Sequence, residues 1–352
     1  MEITIITDPL GTEYGSTKCP ILIGKGLAHY YKVNLVSTMI SDIVYQKLSK
    51  DFNIIDLNLH FVSKEPSMVL LESWFKCLLK RNWITDIGDI TLCFSNIAIT
   101  QCQVWYAQGT ISDALESLKY YLPYWQRVTY QLLRSPIKYS DQSLVSRSSS
   151  LSQRIVANSK FTANLYRRIG IIINQVIYPP IDLHLFRPVT PNPTRDYILT
   201  YFGKETEYHV IKTVADRGAK IKAFGSRISN APKSCIKHRN IEVLGQVDDK
   251  TLVKLYSNAL FTLFPFIHEP FGYIPAESLA CGTPVLTYHR EGPAEVVKES
   301  TGWLVDSTPE MVQLATELWC KRDFDEPLQC RESIACYDVE NITRKWMTLI
   351  ES

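Results

Sequence analysis

A proline-dense break, VIYPPIDLHLFRP at 176–188 with Pro191 and Pro193 behind it, divides the 352-residue chain near its middle. Consecutive prolines fix φ and cannot continue a helix, so the stretch reads as an extended interdomain linker. On both sides short apolar runs alternate with amphipathic ones. Before the break the strand-type runs are Glu2–Thr7, Lys32–Ser37, Phe52–Leu57, Ile90–Phe94 and Val104–Ala107, with helical patterns such as Glu72–Leu79 between some of them. After it come Tyr197–Phe202, Lys220–Phe224, Ile241–Leu244, Ala259–Pro265 and Pro284–Tyr288, with helices expected at Asp249–Ser257 and Tyr273–Cys281. The tail, 338–352, reads as one amphipathic helix with Ile342, Trp346, Leu349 and Ile350 on a face. Strands separated by helices imply parallel sheets covered on both faces. The expectation is therefore α/β, with two Rossmann-like doubly wound domains, 1–178 and 179–337, facing across a cleft. In such folds ligands sit beyond the carboxyl ends of the strands, so residues just after strands carry the interest.

Composition narrows the class. Hydrophobic residues make up 45% and charged residues 21%, ordinary for a globular chain. Thirty-eight basic against 36 acidic residues give +2, which argues against a protein dominated by polyanion binding; no nucleic-acid partner is expected. No apolar run approaches the roughly 18 residues of a membrane span. The chain opens directly on a strand-like run, Ile3–Ile6, without a basic leader pattern, so no signal peptide is expected. Nine cysteines form no CxxC pair, which points to reduced thiols, a cytoplasmic location and no structural zinc. No His/Asp/Glu cluster suggests a metal.

The most informative stretch is HEPFGYIPAESLACGTPV, residues 268–285. Glu269 falls just after a strand, where Pro270 and Gly272 keep a helix from starting early. The helix is expected to begin near Tyr273 or Ile274 with Pro275 in its first turn, where a missing N–H costs nothing. Free amides around Phe271, Gly272, Tyr273 and Ile274 then point out of the helix start, suited to a phosphate or a sugar hydroxyl. Glu277, about one turn in, can accept two hydrogen bonds from a vicinal diol such as a ribose.

This stretch resembles the donor-site motif of retaining glycosyltransferases of the GT-B fold, most closely family 4. The resemblance extends through IEVLGQVDDKTLVKLYSNALFTLFP (241–265), GPAEVV (292–297) and TGWLV (301–305), and upstream through IVANSKFTANLYRRIGI (155–171) and the linker. It implies that Glu277 binds nucleotide ribose hydroxyls, that Glu269 contacts the transferred sugar, and that the amides near Phe271–Ile274 reach the sugar or the diphosphate. It also implies that the tail helix returns to the first domain. Relatives place a cation after a glycine near the first strand of the second domain. Here YILTYFGKE (197–205) offers Gly203 and Lys204, with His209 or Lys212 for a second cation. Relatives carry a glycine-rich loop after the first strand; Gly11 and Gly15 are the candidates here. Many also carry a His after a middle strand; VWYAQGT (104–110) has none, leaving Tyr106 or Gln108 unassigned. The implied activity is transfer of a hexose from a UDP- or GDP-sugar with retention, without metal or further cofactor, to a glycan, lipid or protein acceptor. Glycosidase-style catalysis by the two glutamates does not follow.

One charge pattern stands apart. Between 119 and 168 nine basic residues face one acid, Asp141, a local +8, with Tyr120, Tyr121, Tyr124, Trp125 and Tyr130 interleaved. Such a surface suits an anionic membrane, and a solvated helical hairpin with buried aromatics is the plain alternative. Two rival functions stay open: another GT-B enzyme, such as a phosphorylase or sugar-phosphate synthase, and a non-enzymatic membrane or nucleic-acid binder working through this segment.

Overall fold

The structure, a computed structural model, describes residues 1–11, 17–57, 72, 88–121, 124–226, 231–322 and 329–352; the helix expected at Glu72–Leu79 lies outside them apart from residue 72. The chain forms two compact units, Met1–Pro180 with Val339–Ser352, and Ile181–Asp338.

The first unit holds a seven-stranded sheet: β1 (Glu2–Thr7), β2 (Lys32–Ser37), β3 (Asn53–Asp56), β4 (Ile90–Cys93), β5 (Cys102–Ala107), β6 (Ser152–Ala157) and β7 (Gln175–Val176). Their order is β3-β2-β1-β4-β5-β6-β7, and every pairing is parallel. Five consecutive residues of β1, Ile3–Thr7, are buried, as expected of a strand covered on both faces. The second unit holds a six-stranded parallel sheet: β8 (Ile198–Tyr201), β9 (Ile221–Phe224), β10 (Ile241–Gly245), β11 (Thr262–Phe264), β12 (Val285–Tyr288) and β13 (Gly302–Val305), ordered β10-β9-β8-β11-β12-β13. Each sheet reverses its strand order once, between β1 and β4 and between β8 and β11, and a doubly wound sheet opens its ligand crevice at such a point.

The tail helix Val339–Glu351 belongs to the first unit. It packs on the helix Lys18–Ala28, where Gly26 leaves room for Thr343: a Cβ there would meet Thr343 Oγ1 at 2.0 Å. Trp346 is buried against Phe94 and Tyr106, with ring centroids 5.2 and 5.5 Å away.

The proline-rich stretch is not a free linker. Tyr106 Oη donates to the carbonyl of Ile177 at 2.7 Å, which ties the start of the stretch to the first unit, and that unit runs to Pro180. Ile181 and Phe186 are fully buried, and the Arg331 guanidinium donates to the carbonyls of Leu183, Phe186 and Ala280 at 3.0, 2.9 and 2.8 Å. Residues 181–188 are thus a packed part of the second unit, because their apolar side chains have a core to enter.

Candidate functional site

The β8/β11 reversal point is built from three neighbouring strand ends. The loop after β11 lies between the loops after β8 and β12, and hydrogen bonds tie it to both. On the β8 side, Glu207 N–H donates to Pro265 O at 2.9 Å and Ile267 N–H to Glu205 O at 2.7 Å. On the β12 side, Gly292 N–H donates to Glu269 O at 3.1 Å and Arg290 Nη2 to Phe266 O at 2.8 Å. Glycine is required at 292, because a Cβ would sit 2.3 Å from Pro270 O and 2.4 Å from Phe271 N. Gly272, at φ +101°, makes the turn from loop into the helix Tyr273–Ala280.

Glu269 is partly buried within this loop. Its Oε1 accepts the N–H groups of Gly272 at 3.2 Å and Phe271 at 3.4 Å. Two of the amides expected to be open at the helix start are therefore occupied by this carboxylate, which reaches forward over the Pro270 turn to cap them. Burial, then the nearby Glu205 charge, raise the Glu269 carboxyl to about 7, against the opposing pull of the Phe271 amide, His268 and the Gly272 amide. At neutral pH it can either donate or accept a hydrogen bond.

Glu277 sits in the first turns of the helix, as expected, and is only 4% exposed; Tyr256 Oη donates to its Oε2 at 3.4 Å. Burial pushes the Tyr256 hydroxyl well above its usual range, so it remains a donor. Phe271 is buried edge-on against Tyr273, their ring centroids 5.2 Å apart, so its side chain is core.

After β8, Lys204 is half exposed and its Nζ lies 3.1 Å from Glu205 Oε1, the same carboxylate that acts on Glu269. Gly203 is not open to a ligand: its N–H donates to Thr206 Oγ1 at 3.0 Å and its carbonyl accepts Tyr208 Oη at 2.7 Å. His209 is largely exposed, 3.9 Å from Glu207 Oε2, while Lys212 is tied to Asp216 at 2.6 Å. Sequence reasoning missed Glu207, which is buried and collects Tyr288 Oη at 2.6 Å, Thr308 Oγ1 at 3.4 Å and Arg290 Nη2 at 3.5 Å. It also missed Glu291, whose Oε2 accepts Glu269 N–H at 2.6 Å and lies 3.3 Å from His268 Nδ1. The available signal was position: each follows a strand within a few residues.

In the first unit, Gly11 lies in the bend after β1, where its carbonyl accepts Ser41 Oγ at 3.3 Å; Gly15 lies outside the described residues. Tyr106 is fully buried and committed to Ile177, which removes it as a substitute for the absent histidine. Gln108 is partly buried and its Nε2 donates to Phe94 O at 2.7 Å. Among the described residues no group of three or more His, Cys, Asp or Glu could hold a metal ion, and no helix is long and apolar enough to cross a membrane.

Residues 224–333 match the family Glycosyl transferases group 1. Over its full length the chain superposes on sucrose-phosphate synthase from Thermosynechococcus elongatus (TM-score 0.73, 17% identity, 99% and 98% of the two chains). It also superposes on Anabaena HepE in complex with UDP (TM-score 0.70, 13% identity, 100% of both chains). The fold is GT-B, and the likeness to glycosyl transferases group 1 lies in residues 224–333. An uncharacterized glycosyltransferase of Methanocaldococcus jannaschii is 33% identical over 79 residues, 22% of this chain and 20% of that one. A GDP-mannose-dependent alpha-(1-6)-phosphatidylinositol dimannoside mannosyltransferase of Mycobacterium tuberculosis is 26% identical over 178 residues, 45% of this chain. The matched stretch spans less than half of either curated relative, 20% and 46%.

Proposed function

We propose that the chain transfers a hexose from a nucleoside-diphosphate donor, a UDP- or GDP-sugar, to a hydroxyl acceptor with retention of anomeric configuration. The observation that carries this reading is that Glu269 and Glu277 lie after β11, at the β8/β11 reversal point, inside the segment 224–333 that matches the glycosyl transferases. HepE, with the same fold, binds UDP and UDP-glucose, and the mycobacterial relative uses GDP-mannose. Glu269 contacts hydroxyls of the transferred sugar, and Glu277 accepts the ribose diol after exchanging its bond from Tyr256. Lys204, released from Glu205, and the amides at Tyr273 and Ile274 neutralise the leaving diphosphate, with no metal ion. The acceptor oxygen forms its bond to the anomeric carbon on the face from which the phosphate oxygen departs, and the acceptor proton passes to that oxygen. The first unit serves the acceptor, a glycan, lipid or protein.

The same enzyme is proposed to work in the cytoplasm at an anionic membrane surface. The helix Tyr124–Ser150 exposes Tyr124 (75%), Leu132 (77%) and Tyr139 (77%), spaced along one face, with Arg127, Arg134 and Lys138 beside them. Arg134 shares Glu116 with Lys119 and Tyr130, and Arg127 lies over the Tyr124 ring, 5.8 Å from its centroid. Basic residues near an anionic surface contribute about 1 kcal/mol each, and tyrosines settle at the headgroup level.

The test is turnover against panels of UDP-, GDP- and ADP-sugars and of sugar phosphates, with product anomers read by NMR. Turnover of a nucleotide sugar with retention is expected; turnover of sugar phosphates alone would replace the reading with a phosphorylase. Co-sedimentation with anionic vesicles should fall with salt and with Arg127, Arg134 and Lys138 changed together to Glu. Equal partitioning under all conditions would remove the membrane from the account.

A further inference from the structure

We propose that Glu291 is a positioning residue for Glu269, an inference that rests on the glycosyl-transfer reading above. Glu291 has φ +56°, in the left-handed region that glycine enters freely and glutamate does not. Its backbone alone gives no reason for a glutamate there. Its side chain does. Oε2 accepts the N–H of Glu269 at 2.6 Å and lies 3.3 Å from His268 Nδ1, and both side chains of that pair are largely buried. The next residue completes the grip, since Gly292 N–H donates to the Glu269 carbonyl at 3.1 Å. The peptide groups on both sides of the Glu269 Cα are thus held by consecutive residues of the loop after β12.

Glu269 is then constrained at both ends. Residues 291 and 292 hold its backbone, and the amides of Phe271 and Gly272 hold its carboxylate. The anchoring bond to Glu291 is short and charge-assisted, and such bonds are roughly twice as strong as neutral ones. A glycine at 291 would relax the backbone yet leave the Glu269 N–H without this acceptor. Relaxation of the backbone and loss of orientation therefore pull in opposite directions, which separates a positioning role from a merely structural one.

The experiment compares Glu291→Gly and Glu291→Gln with the parent. It measures thermal midpoint, kcat and KM for the donor, nucleoside-diphosphate Kd by calorimetry, and amide exchange of the 266–272 peptide. For Glu291→Gly the midpoint should stay near the parental value, as backbone relaxation offsets the lost hydrogen bond, while kcat falls by about tenfold to a hundredfold, the scale of a misplaced substrate contact. Nucleotide Kd should stay near the parental value and the peptide should exchange faster. Glu291→Gln, whose amide carbonyl can accept the same N–H, should recover most of the lost kcat. Parental kcat and parental exchange in Glu291→Gly would overturn the proposal, as would equal impairment of both variants. If the parent turns over no nucleotide sugar, the transfer reading fails by itself. Exchange in the 266–272 peptide then still decides the clasp: faster in Glu291→Gly supports it, and parental rates overturn it.

Discussion

Each sheet places a carboxyl near the point where its strand order turns back, Asp8 after β1 and Glu269 after β11, and burial raises both. Asp8 goes to about 6, against the pull of Ser95 and the Asn96 amide; Glu269 goes to about 7, pushed further by Glu205. Their surroundings differ. Asp8 Oδ1 takes Ser95 Oγ at 2.5 Å and Asn96 N–H at 3.2 Å, and Ser95 Oγ in turn takes the amides of Ile97 and Ala98. The result is a closed bracket that fixes the turn after β4. Glu269 is held by amides too, but it is partly exposed, next to a half-exposed Lys204–Glu205 pair and a His268–Glu291 pair. A raised carboxyl is therefore not itself a site; charged neighbours that can exchange partners with a ligand make the difference.

The largest expected effect breaks the comparison at Glu269. Glu269→Ala should lower kcat by about a hundredfold to a thousandfold, as removal of one transition-state contact does, while nucleoside-diphosphate affinity stays near parental. Parental turnover would place the chemistry elsewhere. Lys204→Ala should cost roughly tenfold to a thousandfold in kcat, with activity unaffected by EDTA. Activity abolished by EDTA and restored by Mg²⁺ or Mn²⁺ would transfer that role to a metal.

At the other end, Asp8→Asn should leave kcat nearly unchanged and alter stability instead. The folded state raises this carboxyl from 3.8 to about 6, so it binds the proton more tightly than the unfolded chain. Its contribution is most favourable below pH 4 and is lost as pH rises toward 6. Above that the ionised group costs on the order of 3 kcal/mol at most. Asparagine keeps an oxygen for Ser95 and the Asn96 amide without the charge. Denaturation of Asp8→Asn should show equal or greater stability at pH 7 and a weaker pH dependence between 4 and 6. A large loss of stability with the pH dependence intact would contradict this.

How much was readable follows from where the determinants lie. Glu269, Gly272 and Glu277 were visible because their constraints are local: a strand end, a positive-φ turn and one turn of helix. Glu207, Arg290 and Glu291 were not, because they matter only once β8, β11 and β12 become neighbours, and strand order is not written in any one segment. The prolines at 179 and 180 dominated the reading of the linker, although Ile181 and Phe186 already signalled a core to fill. Tyr106 was indistinguishable from a site residue until its hydroxyl was seen bonded to Ile177. Two of the four expected helix-start amides are taken for a subtler reason: Glu269, expected to contact the ligand, itself accepts the N–H groups of Phe271 and Gly272.

The central claim is that the second unit binds a nucleotide sugar through Glu277 and acts on its sugar through Glu269. Calorimetry of the full chain with UDP- and GDP-sugars tests it directly, using the parent, Glu277→Ala and Glu269→Ala. The account predicts binding of at least one donor by the parent. It also predicts affinity weakened about tenfold or more in Glu277→Ala, the scale of a lost charge-assisted hydrogen bond, and near-parental nucleoside-diphosphate affinity in Glu269→Ala. Equal affinity in the parent and Glu277→Ala, or no binding of any nucleotide sugar, would contradict it.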